Sequence, residues 1–133
     1  WDASENAGFT SGTPWIGVNP NCRTINAAAQ VGDPDSIFSY YKALVRLRKD
    51  CSVIARGDFT PLDQSHPAVL AYKRSLPGEE LICISNFYRK GCTWKCPEDL
   101  TGYAVRLSNY PDPQPGRETA LRPYESMILL RRK

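Results

Sequence analysis

The sequence holds a single histidine and a single methionine among 133 residues, and it has no long apolar run. No stretch approaches the roughly 20 apolar residues that a membrane-spanning helix needs. With His66 alone, every nucleophile-and-base arrangement that uses histidine must use that residue. It stands in Asp63-Gln64-Ser65-His66-Pro67, which reads as a turn with the imidazole in solvent, and no G-x-S-x-G elbow accompanies it. There is no phosphate-cradling glycine loop, no dinucleotide fingerprint and no H-E-x-x-H. The 17 basic residues outnumber the 14 acidic ones by only three and are scattered, which argues against nucleic acid as a partner. Five cysteines are an odd number, at Cys22, Cys51, Cys83, Cys92 and Cys96. A disulfide scaffold would carry more, in pairs. Zinc would need further ligands near Cys92 and Cys96, whereas His66 lies far upstream of them. Free thiols in a reducing cytoplasm are the expectation, with no metal and no cofactor.

What is present divides in two. Residues 1–32 show neither helical nor strand periodicity and carry four Gly, two Pro and four Asn, all turn formers. Yet Trp1, Phe9, Trp15 and Ile16 are large apolar groups that a flexible linker would not hold. An ordered, aromatic-bearing loop at the mouth of a larger scaffold fits better. Such rings can stack on sugar rings while Asn, Asp and Ser meet hydroxyls, or they can staple the loop to its own scaffold. The start at Trp1 is read as processing or a fragment, with no targeting peptide visible.

One helix is expected over 34–50, with Asp33 as N-cap, Pro34 at the first position and an apolar stripe through Ile37, Phe38, Tyr41, Leu44, Val45 and Leu47. Short strands follow at Val53–Ala55, Asp58–Leu62, Val69–Ser75, Leu81–Phe87, Thr93–Lys95, Ala104–Asn109 and Met127–Arg131. The clearest hairpin turns through Leu76-Pro77-Gly78-Glu79. The fold class expected is mainly β, an antiparallel β-sandwich preceded by one helix and a long ordered loop. The carboxylates are spread thinly, and no pair is nominated for glycoside chemistry.

The residues Trp1-Asp2-Ala3-Ser4-Glu5-Asn6-Ala7-Gly8-Phe9-Thr10 resemble the W-D-x-S-x-N-A-G-F-T segment of family 13 glycoside hydrolases of the oligo-1,6-glucosidase type. Pro14-Trp15, Val18-Asn19-Pro20-Asn21 and Ile25-Asn26 continue in register with that group's P-W-x-x-V-N-x-N-Y-x-x-I-N. Asp33-Pro34-Asp35-Ser36-Ile37-Phe38, Tyr40-Tyr41-Lys42 and Leu47-Arg48-Lys49 are similar to its next block, and Leu121-Arg122-Pro123-Tyr124-Glu125 to its L-R-P-Y-E/Q. The resemblance implies a (β/α)8-barrel enzyme with a small C-terminal antiparallel β domain, of which this chain is the last quarter. Residues 1–50 would be the loop after the eighth barrel strand and the final barrel helix, and 51–133 the C-terminal domain. The aspartate nucleophile, the glutamate acid/base and the third aspartate would lie upstream, so no catalytic residue carries over and the isolated chain would be inactive. Trp1, Asp2, Asn6, Gly8 and Phe9 would shape the rim of the sugar site. Cys22 departs from the family, which has Tyr there. The implied substrate is a short oligosaccharide, cleaved with retention. A free-standing carbohydrate-binding sandwich is the alternative. Cut from its barrel, the helix would leave an apolar face uncovered, and self-association is expected.

Overall fold

The computed structural model describes residues 1–132. Contacts divide the chain into two compact units, Trp1–Arg46 and Leu47–Lys133.

The first unit is more regular than its composition predicts. Residues 1–32 hold single turns at Glu5–Gly8 and Pro20–Arg23 and a short helix α1, Ala27–Val31. Side-chain caps build these: Asn19 accepts the N–H of Asn21, and Asn26 accepts that of Ala29 at 2.8 Å while donating to the Cys22 carbonyl. The principal helix α2 runs Ile37–Asp50, so it begins three residues later than the expected start at 34. Ser36, not Asp33, caps it: its Oγ accepts the Ser39 N–H at 3.2 Å. Asp33 instead closes a turn, its Oδ1 accepting the Asp35 N–H. Proline and an acid before an apolar stripe mark a helix entry, but several polar residues there compete to be the cap.

The second unit is the antiparallel sandwich expected. Its strands are β1 Asp58–Asp63, β2 Val69–Leu76, β3 Glu79–Asn86, β4 Cys92–Lys95, β5 Ala104–Ser108, β6 Glu118–Leu121 and β7 Ser126–Arg132. Five form one sheet in the order β1-β2-β3-β7-β5, and β4 pairs β6 in a second. Alternation decides the faces. Val69, Ala71, Ile82, Ile84, Met127 and Leu129 point to the small sheet and pack with Trp94, Cys96 and Leu121. Leu81, Cys83 and Leu130 point the other way, onto Cys51, Val53 and Leu47. The β2–β3 hairpin turns on Pro77-Gly78, with Leu76 opposite Glu79 and Gly78 at φ +81.

Three expectations are corrected here. Val53–Ala55 is not a strand but lies in a helix, α3, Ser52–Arg56. Val53 and Ile54 have strand-like side chains, but distant groups serve this helix's ends. Arg74 donates to the carbonyls of Val53 and Gly57 at 3.1 and 2.6 Å, and Glu79 accepts the Val53 N–H. A Cβ at Gly57 would stand 2.5 Å from the Val53 carbonyl oxygen, so glycine is needed for that close approach. Strand β6 had no sequence signal of its own, because four residues show barely one alternation. His66, expected in solvent, is half-buried, and its Nδ1 accepts the N–H groups of Ala68 and Val69 at 3.2 and 3.0 Å.

Candidate functional site

The first nine residues form a knot of local hydrogen bonds. The Asp2 N–H donates to the Ala7 carbonyl at 3.1 Å, and the Ala7 N–H to the Ser4 carbonyl at 3.0 Å. Asp2 Oδ1 accepts both the hydroxyl and the N–H of Ser4, at 2.5 and 2.9 Å. Those donors, the hydroxyl first, hold the Asp2 carboxyl below the usual carboxylate range. Asn6, Ala7 and Gly8 then take φ of 51, 53 and 74, three left-handed residues in succession. Asn tolerates that region, and glycine is free in it. Ala7 is strained by about 1 kcal/mol, and it is fully buried. Asn6 secures the bend by donating through Nδ2 to the carbonyls of Thr10 and Gly12, each at 3.1 Å. At Gly8 an added Cβ would sit 2.9 Å from Asp2 Oδ1, so the turn closes only over glycine.

The outcome is that the chain doubles back and sets the rings of Trp1 and Phe9 side by side, with centroids 6.5 Å apart and planes 30° apart. The Trp1 carbonyl accepts the Ala28 N–H at 3.0 Å, which ties the start of the segment to α1. Both rings line a hollow of about 570 Å³, completed by Thr10, Thr13, Trp15 and Val18 among others. That volume is in the range of ligand pockets. A more polar hollow of about 520 Å³ adjoins the turn and includes Asn6, Asn19, Cys22 and Arg23.

The five rim residues anticipated from the sequence therefore separate by role. Trp1 and Phe9 present side chains to the aromatic hollow, whereas Asp2, Asn6 and Gly8 shape the turn behind them. Trp15 stands in the same hollow and is 93% exposed. Its place opposite the stack depends on the intervening turn, which composition does not show.

Among the described residues, the aromatic hollow has no carboxylate in its lining, and Glu5 is the one acid in its neighbour. No group of three or more His, Cys, Asp or Glu among them could hold a metal ion. Near His66, the Ser65 hydroxyl donates to Asp63 Oδ1 at 2.8 Å while the imidazole accepts backbone N–H groups, an arrangement that leaves no serine-to-histidine relay. No described helix is long and apolar enough to cross a membrane.

Comparison with known proteins joins this geometry to the motif. The alpha-amylase catalytic-domain family matches residues 1–57. An oligo-1,6-glucosidase of Parageobacillus thermoglucosidasius is 42% identical over 132 residues, covering 96% of this chain and 24% of its own. A trehalose-6-phosphate hydrolase of Bacillus subtilis (strain 168) is 37% identical, with the same coverage. The crystal structure of Bacillus licheniformis trehalose-6-phosphate hydrolase superposes with a TM-score of 0.92 at 40% identity, over 100% of this chain and 25% of that one. The chain belongs to the alpha-amylase family of glycoside hydrolases, family 13. Within it, the chain is homologous to the C-terminal part of α-glucosidases of the oligo-1,6-glucosidase type. It spans about a quarter of the length of the relatives it matches.

Proposed function

We propose that these residues serve as the C-terminal part of a retaining α-glucosidase that hydrolyses α-1,6 or related glucosidic bonds in short oligosaccharides. On this reading 1–50 are the last loop and helix of a catalytic barrel, and 51–133 form the domain that follows it. Trp1, Asp2, Asn6, Gly8 and Phe9 shape the rim of the sugar site. The observation that carries the reading is the left-handed turn at 6–8, where a strained Ala7 is held by hydrogen bonds on both sides so that Trp1 and Phe9 stand together. Strain of this kind gathers where a site must be held in shape. Retaining hydrolysis needs two carboxyl groups roughly 5–5.5 Å apart across the bond, and the aromatic hollow has none in its lining. The carboxylates therefore come from outside these residues, and the role of 51–133 is structural. Five free thiols fit a reducing cytoplasm.

Hydrolysis of an aryl α-glucoside tests this. We expect turnover by the intact enzyme and none by the 133 residues alone; turnover by the 133 residues would sink the assignment. Calorimetric heat with isomaltose on the isolated chain would instead favour a free-standing binding module. The isolated chain should also self-associate, because Ile37 is 80% exposed on α2 and Phe38, Tyr41 and Val45 share its open apolar face. A monomer by light scattering at high concentration would contradict that.

A further inference from the structure

We infer that Trp15 is a sugar-stacking residue that takes a neutral glucosyl ring between its indole and the Trp1–Phe9 pair. The inference rests on the reading above and adds a residue and a charge preference to it. An indole 93% exposed forgoes the burial that such a side chain ordinarily gains. Here it lines one wall of the hollow whose other wall is the paired rings of Trp1 and Phe9. Aromatic faces carry negative charge density, and the C–H face of a pyranose is the complementary partner. The rim supplies what the hydroxyls need. Thr10 Oγ1 accepts the Gly12 N–H, which fixes the hydroxyl and leaves its own proton to donate. Asn19 Oδ1 accepts the Asn21 N–H, which leaves its amide N–H groups as donors. No Lys, Arg, Asp or Glu side chain lines this hollow among the described residues. A phosphorylated sugar would call for Arg or Lys there, so the chemistry favours an uncharged glucoside.

The test uses the intact enzyme that carries these residues, with isomaltotriose and trehalose 6-phosphate as substrates. Trp15→Ala should raise KM for isomaltotriose about tenfold, as expected for loss of one stacking contact. Its kcat should change by less than about twofold, since the interaction is made equally before and during the reaction. Trp15→Phe should recover most of the affinity, and neither variant should move the melting temperature. A KM for Trp15→Ala within about twofold of the unmodified enzyme overturns the inference while leaving glucosidase activity standing. A fall in kcat together with a lowered melting temperature also overturns it, because Trp15 would then be covered by protein rather than sugar. Preferential turnover of trehalose 6-phosphate overturns the neutral-sugar assignment. An intact enzyme that hydrolyses no glucoside removes both the inference and the reading beneath it.

Discussion

Replacing Trp94 by alanine is expected to destabilise the β unit by roughly 3–5 kcal/mol, the cost of emptying a large buried aromatic site. Trp94 lies on β4 opposite Thr119 of β6 and is 1% exposed. The small sheet has only two strands, and a two-stranded hairpin is marginal in water by itself. Its attachment to the large sheet is apolar contact, in which Trp94 is the largest fully buried side chain. The ring also has a polar tether: its Nε1–H donates to Asp63 Oδ2 at 3.1 Å, at the end of β1. Truncation thus removes the filling between the layers and the link to an edge strand together. Urea denaturation followed by far-ultraviolet circular dichroism should show the loss, and Trp94→Phe should recover more than half of it by restoring volume without the tether. The tether has a separate reading in acid. The Ser65 N–H and hydroxyl, then the Trp94 N–H and His66 N–H, hold the Asp63 carboxyl down to about 2. Its folded value lies below the ordinary 3.8, so its contribution is present above that pH and lost as pH falls toward about 2. Trp94→Phe removes one of those donors, so the acid limb of stability should move to higher pH. An unchanged acid limb would mean that the indole fills space and nothing more.

The parts of this molecule that were legible in the sequence are those whose stabilising partners lie nearby along the chain. The apolar stripe of α2 and the β2–β3 hairpin with Pro77-Gly78 are local patterns, and they are found where periodicity puts them. Helix α3 was misread because its ends are served by Arg74 and Glu79 from β2 and β3, which a window of five residues does not contain. Strand β6 was missed for the same reason, since it exists through its pairing with β4. At the site, Trp1 and Phe9 were visible as aromatics in a loop, and the motif gave them company. The turn that joins them was not visible, because Ala7 at positive φ contradicts every local preference of alanine. Only hydrogen bonds around it make that conformation the favourable one.

Arg122→Ala should cost about 3 kcal/mol at neutral pH, and the loss should shrink in acid. The turn between β6 and β7 is built around Glu125, whose side chain is 1% exposed. Arg122 meets it through Nε and a terminal nitrogen at 3.0 and 2.8 Å, and the Arg122 backbone N–H adds a third bond at 2.8 Å. The same guanidinium reaches Asp112 at 2.6 Å and lies 4.0 Å from the centre of the Tyr110 ring. This arrangement holds Tyr124 at φ 54, a conformation that a bulky residue adopts only when its surroundings compel it. Removing the arginine leaves a buried carboxylate with little beyond one backbone donor. The figure is the low end for breaking a buried pair, because the Arg122 side chain is 37% exposed and water can enter. The direction with pH follows from the carboxyl. In the intact protein the Arg122 hydrogen bonds outweigh burial and hold Glu125 below its ordinary 4.5. Its stabilising contribution is then present above that pH and lost as pH falls through the lowered folded value. In the variant burial is opposed by far less, so the folded value rises above 4.5 and protonation relieves the penalty. Urea denaturation near pH 7 and near pH 4 should therefore show the two proteins converging in acid. Equal differences at both pH values would show that Arg122 acts through packing on Tyr110 rather than through Glu125. A double replacement, Arg122→Met with Glu125→Leu, separates the charges from the shape. It leaves no buried ion behind and should recover most of the loss at pH 7.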